Sequence, residues 1–341
     1  MTSLRIRLVG WVMVTGMVAT AVGAPAAGAL PAEETPSGEE EPAAVAADRG
    51  EAWRARSVAA ERALSLRDFA KAEAELAAAV KVAEAFPDHD ERLAASLARL
   101  MQIYAFQDKY AEAVGTGKRL LAFRESADGP EHINVAGVLN ALAALYMAMG
   151  KPDEAGPLLE RARAICKEHD GRSADRLHAG VLDNLAELHR DKGNLEAAEP
   201  LARQALALLR AQYGDSHPAC AESLAMVGTI LLAKGQHAEA EAAFRESLAI
   251  RRMKMGWNRP VIIRSLVHLA DACKAQEKYQ VAENYYKEAI RQGEGGLGRN
   301  DDVRADAYEA YADLLRRTDR DEEAEKMADQ AKTIREALKK R

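Results

Sequence analysis

Aromatic side chains are scarce in this chain, 5% of 341 residues, while charged residues make up 29%. That balance suits long solvated helices and argues against a β-rich fold, whose strands draw on aromatic and β-branched residues. Cysteine is scarcer still: Cys166, Cys220 and Cys273 lie far apart, an odd number without a C-x-x-C pair. Such a set supports neither a disulfide framework nor a metal clip, so three unpaired, buried thiols are expected. Positive charge is not in excess either. The formal net charge is -6, and no basic tract occurs except the terminal Lys339-Lys340-Arg341, which speaks against a nucleic-acid partner. The P-loop, H-E-x-x-H and G-x-S-x-G signatures are all missing. Gly293-Glu294-Gly295-Gly296-Leu297-Gly298 matches G-x-G-x-x-G, yet it follows a helical stretch instead of a strand and reads as a flexible loop. No catalytic residue, metal site or cofactor is read from the sequence.

The N-terminus has the features of an export segment. Arg5 and Arg7 precede Leu8 to Val22, an uncharged and mostly apolar run, and Val22-Gly23-Ala24 and Ala27-Gly28-Ala29 resemble cleavage sites. The uncharged stretch continues to Ala32, long enough for a membrane span, although glycine, alanine and proline in its second half favour cleavage. Residues 1–29 are therefore expected to be a signal peptide or N-terminal membrane segment. The protein is expected to be exported to the periplasm or cell envelope, with anchoring by an uncleaved helix as the alternative and the sole membrane contact. Pro31, Pro36 and Pro42 with Glu33, Glu34, Glu39, Glu40 and Glu41 make residues 30–50 an acidic, disordered linker by composition.

What fills the remainder is repetition. Ala72, Ala113, Ala155, Ala198, Ala240, Ala282 and Ala324 recur at intervals of 41 to 43 residues, the mark of a stacked-repeat array. In the fourth copy Leu182, Leu185, Ala186 and His189 follow helical spacing, Gly193 ends that helix, and Ala198, Leu201, Ala202, Ala205, Leu206 and Leu209 form a second apolar stripe. Each unit is thus an antiparallel helix pair. Ala143, Ala186, Gly228, Ala270 and Ala312 in the first helices face the aligned alanines, a pairing of small residues that lets two helices approach closely. Gly150, Gly193 and Gly235 suit left-handed caps at the turns. Asp108 and Asp319 are weaker substitutes, and Arg67 and Glu277 have no such advantage. Acids at the second-helix starts, such as Asp153, Glu154, Glu196 and Glu239, suit the helix dipole.

The pattern Ala-x3-Leu/aromatic-x2-Ala, as in Ala155…Leu159…Ala162 and Ala282…Tyr286…Ala289, resembles a tetratricopeptide repeat. The period and the junction Gly214-Asp215-Ser216-His217-Pro218 are similar to the kinesin-light-chain variety. HEAT-like pairs share the period but lack the paired small positions. The resemblance implies an all-α, right-handed α-solenoid of about seven antiparallel helix-pair repeats over residues 51–341. It also implies a non-enzymatic scaffold that takes a partner peptide or protein segment in a concave groove lined by first helices. The groove candidates are Gln102, Phe106, Asn140 and Met147 upstream, and Asp183, Glu187, Arg190, Arg264, Asp271 and Lys274 downstream. Asn140 is singled out because an amide both donates and accepts. The alternative readings are a structural or oligomerising solenoid that assembles through its ends, against which the polar outer side of the last helix speaks mildly, and an enzyme with an unrecognised site, against which the lack of a convergent acid, base or nucleophile set speaks.

Overall fold

The computed structural model describes residues 43–254, 259–294 and 301–339. The expected export segment, residues 30–42 of the expected linker and residues 295–298 of the glycine-rich hexapeptide lie outside them. Among the described residues there are fourteen α-helices in seven pairs and no strand. The pairs are α1 (Ala43–Ser65) with α2 (Phe69–Ala83), α3 (Glu91–Phe106) with α4 (Tyr110–Ala127), and α5 (Ile133–Ala148) with α6 (Pro152–Lys167). They continue with α7 (Arg172–Asp191) and α8 (Leu195–Tyr213), α9 (Pro218–Ala233) and α10 (His237–Lys254), and α11 (Arg259–Ala275) and α12 (Tyr279–Gly293). The last pair is α13 (Asp301–Arg317) and α14 (Asp321–Lys339). The chain divides into two compact units, one ending at Asp170 and one starting at Gly171. One boundary differs from expectation: residues 43–50, assigned to the linker, are helical. Ala43, Ala44, Ala46 and Ala47 have the highest helix propensity of any residue type, which outweighs the acidic, proline-rich composition upstream.

The same chemistry closes all seven hairpins. Arg67, Asp108, Gly150, Gly193, Gly235, Glu277 and Asp319 all sit at positive φ, between 55° and 77°. In each turn this residue and the next donate backbone N–H bonds to the helix behind, as Glu277 N to Lys274 O at 3.0 Å and Lys278 N to Cys273 O at 3.0 Å. This crossed pair satisfies carbonyls that the helix end leaves orphaned. Glycine adopts this conformation without the Cβ clash that other residues meet there. Glu277 is exposed and its φ is 60°, so Glu277→Gly is expected to raise stability by about 1 kcal/mol. A urea midpoint lower than that of the wild type would contradict this account of the turn.

In four of the pairs the core is set by complementary sizes. The small residue of the first helix is matched there by a large one four positions after the aligned alanine, Leu76, Leu159, Phe244 or Tyr286, whereas the fourth and seventh copies have Ala202 and Ala328 at that position. The tightest case is Gly228, where an added Cβ would lie 2.6 Å from Cε1 of Phe244. The second copy reverses the arrangement: Met101 occupies the small position and Gly117 the large one, with a Cβ on Gly117 falling 2.7 Å from Leu142 and 2.9 Å from the Met101 sulfur. What looks in the sequence like a departure from the repeat is a compensated swap.

Between successive pairs a buried or half-buried glutamate one place after the aligned alanine takes a cation from the next turn. Lys109 Nζ reaches Glu73 at 2.6 Å, Lys234 Nζ reaches Glu199 at 2.7 Å, Lys278 Nζ reaches Glu241 at 2.8 Å, and Arg320 Nη1 reaches Glu283 at 2.8 Å. In the second copy Val114 replaces the acid and joins an apolar cluster that includes Met149 of the following turn. The ends of the array carry cations where the interior is apolar. Arg62 of α1 is exposed at the position that Ile103, Leu145, Leu188, Ile230, Ala272 and Leu314 fill as buried residues. Lys332 of α14 is exposed where Leu206, Leu248 and Ile290 are buried. Polar outer faces of this kind are what terminal repeats need for solubility.

Candidate interaction surface

In the second unit the first helices lie side by side, α7 against α9, α9 against α11, and α11 against α13. The apolar stripe of each is turned toward its own second helix, which leaves a polar stripe along the row. On α7, Asp183, Glu187 and Arg190 recur at helical spacing along that stripe. Asp183 Oδ2 accepts from Ser223 Oγ of α9 at 2.6 Å, Arg190 Nη2 donates to Glu187 at 3.2 Å and to Asp191 at 2.5 Å, and Arg190 Nη1 lies 3.9 Å from the Met226 sulfur. Glu187 is buried and Arg190 half-buried.

On α11, Arg264, Asp271 and Lys274 are half-buried on one stripe. Lys274 Nζ bridges Asp271 at 3.1 Å and Asp313 of α13 at 3.0 Å, and it stands 5.7 Å from the centre of the Tyr286 ring. Tyr286 Oη donates to Asp271 Oδ1 at 2.5 Å. Burial, reinforced by that carboxylate, pushes the Tyr286 phenol well above its usual range, whereas the Lys274 ammonium holds the Asp313 carboxyl below its own. The wedge residue of the sixth copy therefore has two roles: its ring fills the core and its hydroxyl orients the acid on the charged row. In the repeat pattern Tyr286 stands only as the large member of Ala282…Tyr286…Ala289. A tyrosine in a slot held by Leu159 and Phe244 elsewhere, with an aspartate on the facing helix, was the available signal for the second.

The first unit presents less of its expected set. Asn140 is 1% exposed and Met147 8%, so both lie inside the packing of α5. Phe106 is half-buried with its ring 4.6 Å from Phe69 of α2, an inter-repeat contact. Gln102 is half-buried on α3. The structure thus leaves the charged candidates of α7 and α11 on the polar stripes of their helices, while of the four candidates on α3 and α5 it buries Asn140 and Met147 and half-buries Gln102 and Phe106. The reason is local: Val135 to Leu145 is an almost unbroken buried run, and an amide within it is carried inside.

Histidines are structural where their contacts are defined. His217 caps α9, its Nδ1 accepting the Ala219 N–H at 3.2 Å, while its ring stacks 4.4 Å from Tyr213 and Pro218 takes the first helical position. His132 caps α5 in the same way through Asn134 N. The three thiols are free and buried. Burial pushes Cys166 up to about 12 and Cys273 up to about 11, which leaves both as unreactive thiols at neutral pH. Among the described residues no group of three metal-ligating side chains is brought together, and no helix is long and apolar enough to cross a membrane.

A family model described as "Tetratricopeptide repeat" matches residues 93–168, 177–253 and 261–337, well over half of the chain. No curated protein matches the sequence. Among solved structures the chain is similar to the apo form of RapI, with 11% identity over 85% of this chain and 99% of that one and a TM-score of 0.65. It is similar to the Rap conjugation gene regulator of plasmid pLS20 in complex with the Phr* peptide, with 13% identity, coverage of 96% and 86% and a TM-score of 0.58. It also resembles a Podosopora anserina structure of nearly identical TPR-like repeats, with 22% identity, coverage of 61% and 98% and a TM-score of 0.51. At these identities the likeness is one of fold.

Proposed function

This chain belongs to the tetratricopeptide repeat family, and we propose that it is a non-enzymatic scaffold that holds a peptide or a segment of a partner protein along its first helices. The observation that carries the proposal is the charged row of the second unit. Asp183, Arg190, Asp271 and Lys274 are held by neighbouring hydrogen bonds and remain partly open to solvent. Charges fixed in this way are preorganised for multipoint recognition, since little side-chain freedom is lost when a ligand binds. The solved Rap structure of the same fold was determined with a peptide, which supports the class of partner and not its identity. The polar ends of the array weigh against assembly through them. The export signals of residues 1–29 support a site of action in the envelope, which N-terminal sequencing of the mature protein tests.

For the row itself, a photo-crosslinking residue in place of Asp313, whose side chain beside Lys274 is 48% exposed, should capture a partner from envelope extracts that the same residue at Lys332 does not. Arg190→Ala with Lys274→Ala should then weaken the captured partner by about tenfold or more, given ~1.5–3 kcal/mol for a hydrogen bond to a charged group. An unchanged Kd at unchanged melting temperature counts against the row.

A further inference from the structure

The junction between α2 and α3, residues 84–90, is longer than the corresponding ones at 128–132, 168–171 and 214–217. The extra chain is held in place. Phe86 N donates to Ala83 O at 3.2 Å and Asp90 N to Pro87 O at 3.3 Å, while His89 sits at a φ of 65°, uncommon for a residue with a Cβ. Arg92 Nε and Nη2 grip Asp90 at 2.8 and 2.6 Å, and its guanidinium lies 3.4 Å from the centre of the Phe86 ring. Between this loop and the end of α4 lies a cleft of about 340 Å³, within the lower range of small-ligand sites. It belongs wholly to the first unit and stands apart from the charged row of the second.

The wall of the cleft has an apolar part, Phe86, Pro87, Leu93 and Phe123, and a polar part, Glu84, Asp88, His89 and Ser126. No lysine or arginine is among the residues that line it. The cations nearby are committed elsewhere: Arg92 to Asp90, Arg119 to Glu84, and Arg49 Nη1 to the Ala85 carbonyl at 2.5 Å. Among the described residues no cation bonds Asp88. An anion is disfavoured twice. The N-terminus of α3 would attract one, but Asp90 already caps it by accepting the Arg92 N–H at 2.9 Å, and the lining adds two carboxylates. His89 Nε2 and Ser126 Oγ share a hydrogen bond at 2.9 Å, which leaves the hydroxyl oxygen a lone pair for a further donor. The Phe86 ring shows by its contact with Arg92 that a cation is stable on a phenyl face here. We propose that the cleft binds an alkylammonium group, its apolar stem against Leu93 and the two phenyl rings and its charge at Asp88 and the Ser126 hydroxyl. Such a group comes either as a lysine side chain of a protein segment or as a free amine.

The test uses n-butylammonium, the lysine side chain without its backbone, and 1-butanol, its neutral counterpart of equal length. Titrated into the full chain, the amine is expected to shift the methyl NMR signals of Ala83 and Leu93, both in the wall of the cleft. The alcohol should bind about tenfold more weakly, because it forgoes both the carboxylate and the ring attraction. Asp88 is exposed, so Asp88→Asn should leave the fold intact. It should weaken the amine by about threefold to fivefold and leave the alcohol unchanged. Nα-acetyl-lysine amide and 1,4-diaminobutane separate the two sources, and whichever binds more tightly names the source. Equal binding of amine and alcohol, or amine binding that Asp88→Asn does not alter, would overturn the assignment. So would Ala83 and Leu93 signals that stay in place up to roughly 100 mM amine.

Discussion

Phe244→Ala is expected to lower the stability of the second unit by about 3–5 kcal/mol, the range for emptying a fully buried aromatic site. Phe244 is 1% exposed and its ring lies against the backbone of Gly228. The reverse change tests the same contact from the other side. Gly228→Ala places a methyl 2.6, 2.8 and 3.0 Å from three ring carbons, an overlap that forces the ring to move at a cost of about 1–3 kcal/mol. Alanine at that position is not intrinsically wrong, since Ala143 holds it in the third copy opposite Leu159. Combining Gly228→Ala with Phe244→Leu should therefore cost clearly less than the two single changes together, because the pair then copies a combination the chain already packs. Urea unfolding followed by hydrogen exchange in α9 and α10 reads the loss locally, which matters because long repeat arrays need not unfold in one step. Strict additivity in that double-mutant cycle would sink the idea that repeat geometry is set by paired sizes.

The repeat was legible because its two strongest constraints are written in residue types that few others can replace. Small residues mark the close approach of two helices, and glycine marks a left-handed turn, so the period, the pairing and the hairpin positions follow from the sequence. The turns at Arg67 and Glu277 show the limit. Nothing in either side chain favours positive φ, and the conformation is imposed by the two hydrogen bonds and by the packing of the helices on both sides. The glutamate clamps were not legible either, since the partners lie some thirty-five residues apart and each resembles an ordinary surface charge. The charged stripes of α7 and α11 were singled out by the family resemblance together with helical spacing, whereas the burial of Asn140 depends on neighbours on every side of α5. The start of α1 was misplaced because the acidic, proline-rich composition upstream does not show where the alanine-rich turn begins.

Two of those clamps should make the fold acid-sensitive in a defined window. Glu241 and Glu283 are 7% and 8% exposed. Burial alone would raise both carboxyls, but hydrogen bonds from cations overcome it. Lys278, Gln276 and Arg245 hold Glu241 at about 2, and Arg320, Lys287 and the Tyr311 hydroxyl hold Glu283 at about 2. Both values lie below the ordinary 4.5. A carboxyl depressed in the folded state stabilises that state fully above its unfolded pKa, and the contribution fades as pH falls toward the folded value. From the size of the shifts each glutamate contributes on the order of 3 kcal/mol at neutral pH, lost between about pH 4.5 and pH 2. Asp306 acts in the opposite direction, because burial, only partly offset by Arg335, keeps its carboxyl above the usual range. Its protonation favours the fold and trims the loss. Glu241→Gln and Glu283→Gln take away the buried carboxylate to which these more exposed cations are bonded, so each should weaken the second unit at pH 7, by no more than an amount of that order. Near pH 2.5 the variants and the wild type should converge, since protonation has by then done much of what the substitution does. Urea midpoints at half-unit steps between pH 2.5 and pH 7 give the comparison, and parallel curves would show that the clamps contribute packing alone.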